Sequence, residues 1–550
     1  MNRTRRWQFF GFAVATALST PAFADAESCS MYRDLPIERQ LRRLAIDLKG
    51  TVPDMADYDA VAGQATLPSE IIDAYVASDD FRLQMRRYHE GLLWTNPSLV
   101  LGDVGFSLST VTVGGNVLHF VPSTTKRRMY RGGDGTHNCQ NKPQSDLGYD
   151  AQGLPNVELM GTDGTGDWYA EGYVEVHPYW EPDPAKTIKV CAFDAQATET
   201  YTLASPDPDA GSHSCDTNIA IGKSKFCGCG PSLNYCMLTS IVQTRVLADL
   251  REQTLRFVDE FSTGSKPYSQ ILTAKTIHYN GPLVHYFTYL AQRQTLGRTQ
   301  NAHTAADGTL PNLTYTNADT WVAIEREAPH AGVLTLPGYL LRFQTNRGRA
   351  NRYRIAFLGE YFQPPSTKDV NCNKEGDDLT QRCVCRNCHV TLEPIAAYFG
   401  QFAEAGSTPV RDYEPSYATA AECAQMIAPR SSGYCDRFYS VVPDLQDPDI
   451  RRYRLKALQY ADADHPTIQP HFDAGPAGLA QADITSGAFH EVATEHLFEF
   501  FMKRPPNLDP TSPDYEGDLV AEIAKEFQAT DDFRLAVRRL VQLPLYRRTP

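Results

Sequence analysis

The sequence predicts a mainly α, multi-helical fold that carries an inserted β-rich module. Three observations lead there. Apolar residues recur at helical spacing near both ends and in the middle of the chain. Between about 101 and 215 the texture switches to short β-branched runs separated by Gly/Asp clusters. The 550 residues, 42% hydrophobic and 21% charged, are long enough for several cores and too apolar for a disordered chain.

Residues 1–24 read as a secretory signal peptide. Arg3, Arg5 and Arg6 form a basic start, Phe9 to Leu18 an apolar stretch, and Ala22-Phe23-Ala24 a cleavage site before Asp25. Trp7-Gln8-Phe9 does not fit a twin-arginine signal, and Cys29 lacks a lipobox. Removing this segment takes away three arginines and no acid, so the formal charge of −14 becomes −17. That balance argues against a nucleic-acid backbone as partner. With no later apolar run of spanning length, the expected product is exported to the periplasm, the cell surface or beyond, without a transmembrane segment.

The modules follow in order. Residues 25–100 form an N-terminal helical module: Leu41, Leu44, Ala45 and Leu48 share a helical stripe, Gly50 to Asp54 stops and restarts the chain, and a second helix spans about Pro68 to Trp94. Residues 101–215 form the β-rich insertion, with strands around Val111–Val113, Val117–Val121, Tyr173–Val176 and Ile188–Phe193. In its Asp163-to-Asp167 loop a turn is favoured over a calcium loop, because the closing Glu is missing. Residues 216–365 return to helix, with Leu247, Leu250, Phe257, Val258 and Phe261 on one face of a helix from Leu233 to Phe261. A cysteine-rich segment covers 366–412, an irregular Pro/Asp-rich insertion 413–475, and a C-terminal helical module 476–550. An internal echo links Ala77 to Arg87 with Ala529 to Arg539, each suggesting an acidic N-cap before a helix rich in arginine.

The chemistry concentrates in Cys385-Arg386-Asn387-Cys388-His389. Two thiols three positions apart with an imidazole directly after them match covalent attachment of haem c: the sulfurs take the vinyl groups and the imidazole ligates iron. Cys385 and Cys388 are thus the predicted cofactor-binding thiols and His389 the proximal iron ligand. Three other readings stay open: a Cys385–Cys388 disulfide, a zinc site that would recruit Cys383 or others, and a thioredoxin-type redox pair. No second such motif occurs, so one haem is expected. Met426 is the nearest downstream thioether and a candidate distal ligand; His330, His471, His490 and His496 are further candidates. The run Arg342, Arg347, Arg349, Arg352 and Arg354 contains no acid and suits haem propionates, an acidic redox partner or a solvated cationic face. Cys215, Cys227, Cys229 and Cys236 form a second cluster, read as disulfides ahead of a metal knot. Setting two haem thiols aside from 13 cysteines leaves 11, an odd number, so one is free, metal-bound or joined to another chain.

Several segments carry a family resemblance: Leu250-Arg251-Glu252-Gln253 through Phe257-Val258-Asp259-Glu260-Phe261 and Ile271-Leu272-Thr273-Ala274 to Tyr286, then Ala331 to Thr335, Thr345-Asn346-Arg347-Gly348, and Cys385 to Ile395 with Leu392-Glu393-Pro394-Ile395. Together with helical modules at Leu41–Trp94 and Phe489–Arg547, the chain resembles the planctomycete-type secreted cytochrome-associated proteins of unknown function. The resemblance covers about two thirds of the chain and implies a secreted, monohaem protein. The expected function is an exported monohaem c-type cytochrome moving electrons between periplasmic or surface partners, with a redox partner protein. Two alternatives stand beside it: a haem oxidoreductase with an open distal site acting on a peroxide or organic substrate, and a secreted binding or scaffolding protein whose cysteines are only disulfides. Whether the chain is an enzyme stays open.

Overall fold

Pro36 holds the backbone extended just before α1 (Ile37–Lys49), whose Leu41, Leu44, Ala45 and Leu48 are fully buried. In the computed structural model, the described residues are 34–97, 106–122, 131, 138–196, 200–203, 211–215, 225–292, 307–361, 439–443, 451–455 and 474–548. Within 385–407, positions 385, 388, 389, 391, 392, 395, 396, 398, 399, 402, 406 and 407 are also described. The expected signal peptide, the Gly132–Gly135 cluster, His471 and Met426 lie outside them.

Gly50 ends α1 in the left-handed region (φ 72°), where its N–H reaches the Ile46 carbonyl. A capping box between Asp54 and Asp57 starts α2 (Met55–Val61). The single helix expected over about 68–94 is two: α3 (Ser69–Val76) and α4 (Asp79–Leu93). The break has a local cause, because the Ser78 hydroxyl accepts the Phe81 N–H (3.2 Å) and starts a new helix.

The β-rich module opens with β1 (Phe106–Ser107), β2 (Ser109–Val113) and β3 (Asn116–Phe120). After the single turn α5 (Gln144–Leu147) come β4 (Glu158–Asp163), β5 (Gly166–Ala170), β6 (Tyr173–Val176), β7 (Ile188–Cys191), β8 (Thr200–Leu203) and β9 (Gly211–Ser214). Four strands form one sheet in the order β2-β3-β7-β6, with β3 and β7 parallel. The other strands pair as hairpins β4-β5 and β8-β9. Asp163 accepts the Thr165 N–H (2.7 Å) and hydroxyl (2.8 Å), which makes the Asp163–Asp167 loop a hairpin turn. Strand pairing runs past 215, since β1 pairs in parallel with β10 (Cys236–Met237) and closes the module at its stem. Strands this short bury little apolar surface, and cross-links compensate: Cys139–Cys191, Cys215–Cys227 and Cys229–Cys236.

The following helix, α6 (Val242–Ser262), begins nine residues later than the Leu233 expected from apolar spacing. The Cys229–Cys236 bridge holds Cα atoms 5.1 Å apart, whereas seven helical residues would rise about 10 Å. Leu250, Phe257, Val258 and Phe261 of α6 are buried. Against this helix pack β11 (Thr276–Tyr279), α7 (Gly281–Gln292) and α8 (Pro337–Arg342); β12 (Val322–Glu325) pairs antiparallel with β11, and α9 (Asn346–Phe357) lies against α4. The 413–475 region, expected to be irregular, contains an antiparallel hairpin of β13 (Tyr439–Pro443) and β14 (Arg451–Leu455). Its β-branched Val441-Val442 run was outweighed by the surrounding Pro and Asp content.

The chain ends in α10 (Pro476–Ser486), α11 (Ala488–Met502), α12 (Gly517–Thr530) and α13 (Phe533–Val541). The first and last helical modules share one apolar core, from Leu41 through Phe257 to Val537 and Tyr546. Polar contacts close it: the Leu35 N–H meets the Arg547 carbonyl (2.9 Å) and the Tyr546 hydroxyl donates to Asp47 (2.9 Å). The echo segments are α4 and α13, both against α6, but their caps differ by two positions. Ser78 caps α4, while Asp532 caps α13 by accepting the Leu535 N–H (3.1 Å). The architecture is mainly α with small β modules, and among the described residues no helix is long and apolar enough to cross a membrane.

Candidate functional site

The site is built on α9. Thr345 starts this helix by accepting the Gly348 N–H (3.0 Å). One turn on, Arg349 is fully buried and donates to the carbonyls of Phe343 (3.0 Å), Leu340 (3.4 Å), Phe402 (3.3 Å) and Gly406 (3.0 Å), and to Asn346 Oδ1 (2.9 Å). This guanidinium ties α8 and α9 to the C-terminal part of the cysteine-rich segment. Phe399 and Phe402 are buried in the same core, with Phe399 stacked over Tyr339 (6.5 Å) and Phe402 edge-on to His330 (5.7 Å).

Cys385, Cys388 and His389 all lie in helical turns and are half-buried. Spacings of three and four residues put the three side chains on one helical face. The Thr391 hydroxyl donates to the Cys388 carbonyl (3.2 Å). Cys385 and Cys388 are free thiols, whereas the other six described cysteines are all in disulfides. The Cys388 thiol is held above its ordinary value: burial raises it, the nearby Arg354 guanidinium pulls it down, and Cys385 raises it again. Such a thiol stays protonated at neutral pH, unlike an activated nucleophile. Among the described residues no group of three or more His, Cys, Asp or Glu is arranged to hold a metal ion. Haem c needs less of this segment, namely two uncommitted thiols on one face and one adjacent imidazole, and the residues present fit that demand.

The five arginines ahead of the segment divide. Arg349 is internal structure. Arg352 Nη2 donates to the Gly91 (3.1 Å) and Leu92 carbonyls, the open carbonyl end of α4. Arg354 Nε donates to Glu360 (3.2 Å) and stands beside Cys388. Arg347 is exposed, and Arg342 lies against the rings of Trp94 and Phe343. A uniformly solvated cationic face is therefore ruled out, because Arg349 and Arg352 are buried.

The described histidine candidates for the distal position are engaged elsewhere. His330 Nδ1 accepts from Arg326 (3.0 Å), and its Nε2 lies 2.8 Å from Asp307 Oδ1, all deeply buried. His490 Nε2 lies 3.0 Å from Asp531, whose carboxyl burial would raise but whose bonds to His490 and Ser269 hold below the usual range. His496 Nε2 donates to the Ile355 carbonyl (3.1 Å), and burial pushes this ring down. His330, Arg342 and Arg352 stood out in the sequence, but the grouping of His330 with Arg326 and Asp307, and of the two arginines with Trp94, had no signal there, because Asp307 and Trp94 reach them only in the fold. Comparison with family models, with curated proteins and with solved structures finds no match.

Proposed function

We propose that this protein is an exported monohaem c-type cytochrome-like electron carrier, with Cys385 and Cys388 as thioether anchors and His389 as proximal ligand. The observation that carries the reading is the contrast in cysteine state. Cys385 and Cys388 are free thiols on one helical face next to His389, in a chain whose other described cysteines are all oxidised. Three disulfides also support an oxidising compartment, as does the basic-apolar start of the chain. When bound, haem c supplies reversible one-electron chemistry. The chain's part is to hold the group: two thiols fix it, the His389 imidazole orients the metal, and Arg354 places a positive charge beside Cys388. Arg349 anchors the downstream residues Phe402 and Gly406 and so fixes the far end of this segment. The free thiols of Cys385 and Cys388 support this reading over the disulfide-only alternative. The likeness to secreted cytochrome-associated proteins belongs to the same proposal, as does a redox partner protein.

A second reading, a haem oxidoreductase with an open distal face, is favoured by one observation. His330, His490 and His496 are each committed to other partners, so none of the described histidine candidates is available to the iron. A pyridine haemochrome spectrum with mass spectrometry of the matured protein tests the first reading, and a colourless protein with the bare polypeptide mass refutes it. His389→Gly should abolish haem loading, and normal loading in that variant counts against His389 as ligand. Rapid carbon monoxide binding to the reduced protein would select the open distal face over the carrier.

A further inference from the structure

Trp94 follows the last residue of α4, in the left-handed region (φ 52°), and is 51% exposed. Two guanidiniums lie against its ring: the Arg352 Cζ is 4.5 Å from the ring centroid and the Arg342 Cζ 5.7 Å. The Phe343 ring, 6.5 Å from Trp94, makes the other wall. Arg352 has a structural task, since it donates to the carbonyl end of α4, yet its buried Nε has no acceptor. Arg342 has none. Its Nε is buried and unpartnered, and among the described residues it lies against the rings of Trp94 and Phe343. Among the described residues, neither guanidinium has a carboxylate partner.

A cation over an aromatic face gains modest attraction but uses none of its N–H donors. Leaving a buried donor unmade is unfavourable, and two like charges side by side add to it. Burial lowers the Arg352 guanidinium, Tyr339 and Tyr361 raise it, and the Arg342 charge lowers it further. The chain is acidic, with 66 acidic residues against 52 basic ones, and some of its partly buried guanidiniums, such as Arg86 with Glu252 and Asp259, have acids in reach; at Trp94 two guanidiniums meet on one ring instead. A planar oxyanion matches what is missing: it accepts from the fork of one guanidinium while lying close to the other, over an aromatic floor.

We propose that Arg342 and Arg352, set against the exposed ring of Trp94, form a receiving site for a carboxylate ligand. The carboxylate is either that of a small organic acid or an acidic side chain of a partner protein, and the site stands whether or not haem is attached. Arg342 is the residue to change, because it makes no hydrogen bond that the fold needs. Glutarate binding is followed by titration calorimetry and dye-labelled hexaglutamate binding by fluorescence anisotropy, both at constant ionic strength set with sodium chloride. Saturable binding of at least one probe, weakened about tenfold or more in Arg342→Gln with an unchanged circular dichroism spectrum, is the expected result. Binding of glutarate assigns the site to small acids. Binding of the peptide alone assigns it to an acidic partner surface. Absence of saturable binding by both probes, or equal binding by wild type and Arg342→Gln, overturns the proposal.

Discussion

Mild acid should destabilise this protein in a way that one substitution partly removes. His89, on α4, is fully buried; its Nδ1–H donates to the Met85 carbonyl (2.7 Å) and its Nε2 accepts from the Tyr268 hydroxyl (3.0 Å). Burial pushes the imidazole down to about 4, against a smaller upward pull from the Met85 carbonyl. The folded chain therefore keeps this ring neutral until about pH 4, while the unfolded chain protonates it near 6.5. Between those values the unfolded state holds more protons, so stability is complete above pH 6.5 and falls as the pH drops. Evaluated at pH 7 and pH 5, the difference is about 2 kcal/mol from His89 alone. His285, which burial likewise lowers to about 4, contributes a similar amount. Urea unfolding of wild type and His89→Gln at both pH values isolates the His89 share, because glutamine preserves a donor and an acceptor without titrating. The wild type should lose about 2 kcal/mol more than the variant on going from pH 7 to pH 5. An identical loss in the two proteins would refute the reasoning.

Arg349→Met should destabilise the fold by about 3–5 kcal/mol, because it strands buried carbonyls ahead of the cysteine-rich segment and within its C-terminal part; hydrogen exchange near Phe402 should rise most. Removing Cys139–Cys191, which closes 52 residues, should cost about 4 kcal/mol, against about 2–3 kcal/mol for the seven-residue Cys229–Cys236 loop. Thermal melts of the double alanine variants should show that order, and the reverse order would count against the chain-entropy account. Ser78→Ala and Asp532→Ala should each cost about 1 kcal/mol as lost caps, and Asp80→Ala less than either. Denaturation curves that rank Asp80 with Asp532 would restore the residue-for-residue echo.

What local patterning controls was legible without the fold. Helical stripes such as Leu41-Leu44-Leu48, the β alternation of the insertion and the Cys385-x-x-Cys388-His389 spacing depend on neighbours a few residues apart. Local signals also misplaced some boundaries. Ser78 splits an apolar pattern that reads as continuous, and the Cys229–Cys236 bridge forbids the helix that Leu233 suggests. Tertiary structure alone decided the pairing of six cysteines, because connectivity depends on which strands meet and not on spacing. It also separated five arginines that look alike in the chain: Arg349 went to internal carbonyls, Arg352 to the end of α4, Arg354 to the side of Cys388, Arg347 to the exposed surface, and Arg342 to an aromatic ring with its Nε unpartnered. A guanidinium's role follows from the acceptors it meets, and those come from segments up to 261 residues away.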